Sequence, residues 1–133
     1  MNYFDAQLVR DGDSYVVKVG PATITPSEEK QARLRAKGVD SQPVTLGIRP
    51  EHVTLAPRGQ GTLDGTVDVS EMMGSSVHLH VSCLGQDIIV IVQTQDVLPD
   101  YKGGFGIGTP VSFHFNGDVI HLFSKDTELN LEY

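Results

Sequence analysis

The side chains best suited to chemistry are two histidines on one predicted strand. His78 and His80 lie two positions apart, so a strand would place both imidazoles on the same face. Metal sites use this spacing, and His114 or His121 could supply a third ligand. No Cys-x-x-Cys pair or carboxylate cluster accompanies them. We therefore expect half-exposed structural histidines on a polar sheet face, and no metal site.

Nucleophilic catalysis finds little support in the chain. Cys83 falls on the apolar side of its predicted strand, where a thiol behaves as a small hydrophobic group. Ser75 and Ser76 follow Gly74, but neither serine occupies a G-x-S-x-G turn. The sequence thus predicts no catalytic residues and a chain that is not an enzyme.

Nucleotide binding is also disfavoured. The chain contains no G-x-x-x-x-G-K-[ST] run, the motif that cradles phosphates and places a hydroxyl on Mg²⁺. The segment from Tyr101 to Thr109 is rich in glycine but has the wrong spacing, and Pro110 and a strand pattern follow it instead of a helix. A flexible loop is the better interpretation. We expect no cofactor in this chain.

The charge and the apolar content of the chain exclude some classes of binding partner. The formal net charge is −7, from 10 Lys and Arg against 17 Asp and Glu. Because nucleic acid binding relies on basic groups that neutralise phosphates, we expect no nucleic acid partner. No apolar run approaches the roughly 20 residues that a membrane span needs, and the one cysteine is compatible with a reducing compartment. These features predict a soluble, cytoplasmic chain with no direct membrane insertion.

The positioning elements are mostly strands. Alternating apolar residues and glycine turns over the 133 residues favour a mainly β fold, a small barrel or sandwich. Asp11-Gly12 predicts one hairpin turn, and Asn116-Gly117 predicts another between strands at 111–115 and 119–123. The unbroken apolar run from Ile88 to Val92 predicts a central strand buried on both faces. Leu129 and Leu131 suggest a short final strand.

One short helix is expected. The capping-box pattern places Thr25 at the N-cap, Pro26 at the first helical position and Glu28 three residues after Thr25. Good helix formers follow from Lys30 to Lys37, and Gly38 is a plausible stop. Because few of its residues are apolar, we expect a surface helix that contributes little to the core.

A corner between two strands carries a compact polar group. Val44 to Ile48 alternate as a half-buried strand, and Pro50 then removes a ladder donor, so the chain must turn there. Arg49 and Glu51 flank this proline, and His52 follows. The arginine and the carboxylate could lock the corner through a charge-assisted hydrogen bond. They could equally present a rigid polar patch to another subunit.

Four ordered motifs carry a family resemblance. The run LGIRPEH at 46–52 resembles the signature of the C-terminal regulatory domain in ATP-binding subunits of carbohydrate ABC importers, of the maltose-importer type. That domain belongs to the TOBE group of OB-like β-barrels. The supporting segments are Met1-Asn2-Tyr3-Phe4, Glu71-Met72-Met73-Gly74 with Val77 to Val81, and Val119 to Phe123. The resemblance favours an OB-like small β-barrel with one short surface helix.

The resemblance implies a function for the chain. Residues 1–133 would form one noncatalytic regulatory and dimerisation domain, with room for two intertwined lobes. ATP and magnesium would belong to an N-terminal nucleotide-binding domain that this chain lacks. Implied partners are a second copy of the subunit, membrane permease subunits and a cytoplasmic regulatory protein, at the inner face of the cell membrane. Corner-forming or interface residues would be Arg49, Pro50, Glu51, His52, Glu71 and Gly74.

Two departures and one alternative qualify this assignment. The family often shows D-x-x-T-G after its H-L-F strand, whereas Ser124 to Glu128 lacks both the first aspartate and the glycine. The loop from Tyr101 to Gly108 is unusually rich in glycine. The alternative is a freestanding module that binds a small oxyanion, since other TOBE domains bind molybdate. Gly74, Ser75 and Ser76 could supply donors, but basic side chains are sparse nearby.

Overall fold

The computed structural model describes residues 1–96, 101 and 104–132. These residues form ten strands and one α-helix: β1 (Asn2–Asp11), β2 (Ser14–Val19), β3 (Ala22–Ile24), α1 (Glu28–Ala36), β4 (Gln42–Ile48), β5 (Thr54–Ala56), β6 (Leu63–Met72), β7 (Ser76–Cys83), β8 (Gln86–Gln93), β9 (Pro110–His114) and β10 (His121–Ser124). The mainly β fold expected from the sequence is confirmed. None of the described helices has the length and apolarity needed to cross a bilayer.

The chain divides into two compact units. The central unit comprises Arg49–Phe115 together with Met1–Asn2, and the terminal unit comprises Tyr3–Ile48 and Asn116–Tyr133. Each unit contains one five-stranded sheet. The chain therefore leaves the terminal unit immediately before the Arg49 corner and returns to it after β9.

The terminal unit contains a sheet with the strand order β10-β4-β1-β2-β3. The predicted hairpin at Asp11-Gly12 is confirmed, because Asp11 pairs with Ser14 and Gly12 has a φ of +62°. One face of each strand supplies the core of this unit, which includes Phe4, Leu8, Tyr15, Leu46 and Leu122. The opposite face of β1 is exposed, in agreement with the period-two pattern.

Helix α1 begins later than its capping motif predicted. Ser27, not Thr25, is the N-cap, and its hydroxyl accepts the amide of Lys30 at 3.4 Å. The helix ends at Ala36, with Lys37 as the C-cap, and Gly38, the expected stop, follows with a φ of +62°. The amide of Gly38 donates to Arg35, and that of Val39 donates to Leu34. This pair of bonds is a Schellman motif, which needs a residue of positive φ at the Gly38 position.

Helix α1 also buries more polar surface than its sequence suggested. Leu34 is its one fully buried apolar side chain, yet Lys30 and Gln31 are buried beside it. Gln31 bonds the main chain of Tyr15 and Pro26. Polar partners therefore hold the helix in place, a feature that hydrophobic periodicity cannot detect.

The central unit contains a sheet with the strand order β5-β9-β6-β7-β8. Its core includes Val67, Leu79, Val90 and Phe113. The prediction of a central, doubly buried strand at Ile88–Val92 is wrong: β8 ends the strand order, and exposed Ile89 alternates with buried Ile88 and Val90. The strand is therefore buried on one face only, and Ile89 lies on the other. β8 also approaches β5 and the turn at Pro50–His52, so the sheet curls.

The prediction of a hairpin at Asn116-Gly117 is also wrong. β9 pairs with β5 and β6, whereas β10 pairs with β4 of the terminal unit. Gly117 has no positive φ and contacts the main chain instead: a Cβ atom there would lie 1.9 Å from the carbonyl oxygen of Thr25. Close backbone approach, not turn geometry, requires this glycine.

The predicted final strand at Leu129 and Leu131 reduces to a single bridge between Phe123 and Asn130. Leu129 is 68% exposed. Glu132 anchors this segment, since its carboxylate accepts both Lys30 Nζ, at 3.0 and 3.2 Å, and the guanidinium of Arg33 at 3.5 Å. This ion pair and two main-chain bonds to β10, from the amide of Ser124 to Leu129 and from that of Leu131 to Leu122, hold the segment.

Candidate functional site

The corner predicted from Pro50 is present, and its main chain holds it. Pro50–His52 forms one turn of 3₁₀ helix between β4 and β5, closed by bonds from the amide of His52 to Arg49 and from that of Val53 to Pro50. The side chains of Arg49, Glu51 and His52 are exposed. Among the ion pairs of the described residues, none joins Arg49 to Glu51. The corner therefore presents its charged groups to solvent.

Glu71 and Gly74 lie at the hairpin between β6 and β7. The amide of Met73 donates to Ser76 at 2.8 Å, and Gly74 has a φ of +78°. Met72 and Met73 are exposed by 70% and 53%. The hairpin thus presents two thioether side chains beside a carboxylate.

His78 and His80 share one half-exposed face of β7, as predicted. His80 Nε2 lies 2.7 Å from the Glu71 carboxylate. Within the part of the chain that the structure describes, no group of three or more His, Cys, Asp or Glu side chains is arranged to hold a metal ion. His80 therefore makes a polar contact between strands β7 and β6.

Cys83 is a buried free thiol at the end of β7. Desolvation by burial, followed by the negative charge of Asp64, raises the pKa of this thiol to about 11. A thiol in this state carries little of the thiolate that nucleophilic attack requires. The physical state of Cys83 agrees with the inert hydrophobic role predicted for it.

Tyr101 in the glycine-rich segment has a structural role that the sequence did not indicate. Its side chain is 1% exposed, its hydroxyl donates to the carbonyl of Ala56 at 2.7 Å, and the same oxygen accepts the amide of Ser112. The ring of Phe105 stacks on it at 5.6 Å. Lys102 and Gly103 lie outside the described residues. An aromatic anchor therefore attaches this segment to the central unit.

An open cavity of about 450 Å³ lies on the terminal unit. Its lining consists of Tyr3, Thr45, Phe123, Ser124, Lys125 and Glu128. Sequence reasoning did not select these residues as a site, because they come from β1, β4, β10 and the segment that follows β10. Only the alternation of exposed Tyr3 with buried Phe4 indicated an outward aromatic ring.

Comparison with known proteins gives concordant matches. The profile described as a TOBE domain matches residues 46–123, and that described as a MalK OB fold domain matches residues 1–53. A solved structure of the cytoplasmic molybdate-binding protein ModG, with molybdate bound, superposes with a TM-score of 0.64. It covers 91% of this chain and 94% of that chain at 17% identity, a likeness that shows the fold.

Curated relatives are ATP-binding proteins of transporters. The chain is 29% identical over 98% of its length to the oligosaccharides import ATP-binding protein MsmX of Bacillus subtilis, of which it covers 34%. It is 31% identical over 96% of its length to the multiple sugar-binding transport ATP-binding protein MsmK of Streptococcus mutans, of which it covers 33%. This chain thus spans about a third of the relatives it matches. By its fold and by the profile match over residues 46–123, the chain belongs to the TOBE domain family.

Proposed function

We propose that this chain is the noncatalytic regulatory and dimerisation domain of the ATP-binding subunit of a carbohydrate ABC importer. One observation supports this most strongly: relatives named for oligosaccharide and multiple-sugar import align along 96–98% of this chain, which covers only 33–34% of their length. The aligned third is the TOBE region. ATP binding with magnesium, and hydrolysis, belong to the remaining two thirds of such a subunit.

The residues support a noncatalytic role. Cys83 is buried with a pKa of about 11, and the imidazole of His80 contacts Glu71, not a serine or cysteine nucleophile. A nucleophile needs an adjacent base or a lowered pKa, and the described surroundings of Cys83 provide the opposite. The proposed contribution of the domain is therefore binding.

The proposed partners are a second copy of the subunit, the membrane permease through the parent subunit, and a cytoplasmic regulatory protein. Two exposed features could form these contacts. The corner offers Arg49, Glu51 and His52 on a main chain fixed by its own hydrogen bonds, and the β6–β7 hairpin offers Met72 and Met73. Rigid corners and methionine-rich surfaces are both common in protein recognition.

A domain exchange tests the proposal. The C-terminal third of Bacillus subtilis MsmX would be replaced by residues 1–133, and oligosaccharide uptake would be measured in cells that lack MsmX. We expect uptake above that of MsmX truncated before its C-terminal third. A matched chimera with Arg49→Ala and Glu51→Ala would report on the corner, and one with Asp118→Ala, another exposed charge, would serve as control. Uptake no higher than that of the truncated subunit, from a folded and expressed chimera, would contradict the proposal.

Binding of a small oxyanion is the alternative to the proposed regulatory function. The Gly74–Ser76 segment contributes hydroxyl groups, but the neighbouring charges at 71–76 come from Glu71 alone, and carboxylates repel anions. Thermal unfolding with and without molybdate distinguishes the two. A saturable rise in the melting temperature would favour a molybdate-binding module, whereas an unchanged melting temperature agrees with the proposed regulatory domain.

A further inference from the structure

We propose that the cavity on the terminal unit is a binding site for a neutral carbohydrate of one or two rings. The site consists of residues of β1, β4 and the segment 123–128, with a volume of about 450 Å³. Small-molecule sites in proteins commonly measure 300–1,000 Å³. This inference goes beyond the proposed transporter role, and its test does not depend on that role.

Aromatic rings form one wall of the cavity. Tyr3 is half-exposed, and its ring meets Phe123 edge to face, with centroids 6.4 Å apart and planes at 63°. Phe123 is the cross-strand partner of Thr45, so their side chains lie on the same face of the sheet. A pyranose ring has one face of C–H groups that can pack on such rings while its hydroxyl groups stay at the rim.

Two charged residues also line the cavity. Lys125 and Glu128 line the cavity, and Asp5 of β1 pairs with the ammonium of Lys125. Carboxylates accept hydrogen bonds from hydroxyl groups, and an ammonium donates them. Because Asp5 already pairs with the Lys125 ammonium, the Glu128 carboxylate leaves a net negative charge near the cavity, which repels an anion. The Lys125 ammonium in the lining also disfavours a cation, so a neutral polar ligand fits best.

The loop that carries these charges is fixed in shape. The Ser124 hydroxyl accepts the amides of Asp126 and Thr127, and the Ser124 carbonyl accepts the amide of Glu128 at 2.8 Å. Glu128 has a φ of +60°, a left-handed conformation that is unfavourable for a residue with a Cβ atom. Such strain is concentrated at ligand sites. The strained residue here, Glu128, is one of those that line the cavity.

NMR titration of the ¹⁵N-labelled whole chain tests the proposal. Maltose is the probe, sorbitol is the matched polyol without a ring face, and methylguanidinium and molybdate are the charged alternatives. We expect saturable shifts with maltose at amides of Tyr3, Thr45 and residues 123–128, with a Kd in the millimolar range. Sorbitol should bind at least several-fold more weakly, because it has no rigid apolar face.

Variants separate binding from folding. Tyr3→Ala removes the exposed ring, and Glu128→Gly removes the carboxylate while relieving the positive φ, so the glycine variant should fold at least as well as the wild type. Each should weaken maltose binding about tenfold or more. Val69→Ala, which shortens a similarly exposed side chain of the central unit, should leave the Kd unchanged.

Several outcomes would overturn the assignment. These are no saturable shifts with maltose, shifts that map outside the cavity, equal affinity for sorbitol, or saturation by methylguanidinium or molybdate alone. An unchanged maltose affinity in both Tyr3→Ala and Glu128→Gly would do the same.

Discussion

The side chain of Asn2 pairs with both main-chain polar groups of Ile89. Its amide nitrogen donates to the Ile89 carbonyl at 2.7 Å, and its Oδ1 accepts the Ile89 amide at 2.8 Å. Ile89 lies on β8, at the end of the strand order of the central unit. Asn2 therefore satisfies groups that an edge strand leaves unpaired, and it is itself only 5% exposed. The side-chain amide of Asn2 thus makes the two hydrogen bonds that a neighbouring strand would make at Ile89.

Replacing Asn2 by Ala should destabilise the chain by about 1–3 kcal/mol, since both Ile89 groups lose their partners. Urea unfolding measures the loss, and hydrogen exchange at the Ile89 amide should accelerate. Gln7→Ala removes an exposed amide side chain from the same strand, β1, and should have little effect. Unaltered exchange at Ile89 in Asn2→Ala would show that the pairing is dispensable.

The ion pair of Glu132 with Lys30 should be costly to break from one side. Their side chains are 1% and 10% exposed, so Glu132→Gln leaves a buried ammonium without its counter-charge. We expect a loss of about 3–5 kcal/mol in the free energy of unfolding, as is typical of halved buried pairs. The double variant Lys30→Met, Glu132→Leu should recover most of that loss. A double variant no more stable than Glu132→Gln would contradict this account.

Gly117→Ala should destabilise the terminal unit, because the new methyl group would collide with the main chain at Thr25. Overpacking of this kind costs about 1–3 kcal/mol, measurable by chemical unfolding. Gly106→Ala is the control: a Cβ atom there has no heavy atom within 4 Å, and Gly106 has no positive φ. Equal stability of the two alanine variants would contradict the close backbone approach at Gly117.

Cys83 should make the stability of the chain fall at high pH. Burial, with a contribution from Asp64, raises its pKa to about 11 from an ordinary 9.0. As pH rises through 9, the thiol ionises in the unfolded chain while it stays protonated in the folded chain. The folded state then binds more protons than the unfolded state, so the free energy of unfolding falls with pH until pH passes about 11. Unfolding measured from pH 8 to 11 should show a steeper decline for the wild type than for Cys83→Ala. Parallel curves would exclude this contribution. Alkylation at pH 8 should also be slow unless urea is added.

Short sequence patterns correctly predicted the features that depend on a few neighbouring residues. The hairpin at Asp11-Gly12 follows from a glycine that adopts a positive φ. The corner at Pro50 follows from the donor that proline removes. The displacement of the N-cap from Thr25 to Ser27 is a competition between two neighbouring hydroxyl groups with similar capping ability, and the fold selected the second.

The errors occurred where distant segments meet. Asn116-Gly117 has the composition of a hairpin turn, yet Gly117 passes along the main chain at Thr25. The apolar run Ile88–Val92 resembles a central strand, but its position in the strand order makes it an edge. The cavity lining was missed for the same reason, since Tyr3, Thr45 and Glu128 are far apart in the chain.

The sequence alone determined the mainly β class, the corner, the single helix and the TOBE family, because alternation, proline, glycine and short motifs act over a few residues. The tertiary structure alone decided which strands pair, why Gly117 is required, how Asn2 satisfies an edge strand and where a cavity opens. Many of those features depend on contacts between segments far apart in the chain, such as Asn2 with Ile89, 87 positions apart, and Lys30 with Glu132, 102 positions apart. No local spacing encodes such contacts.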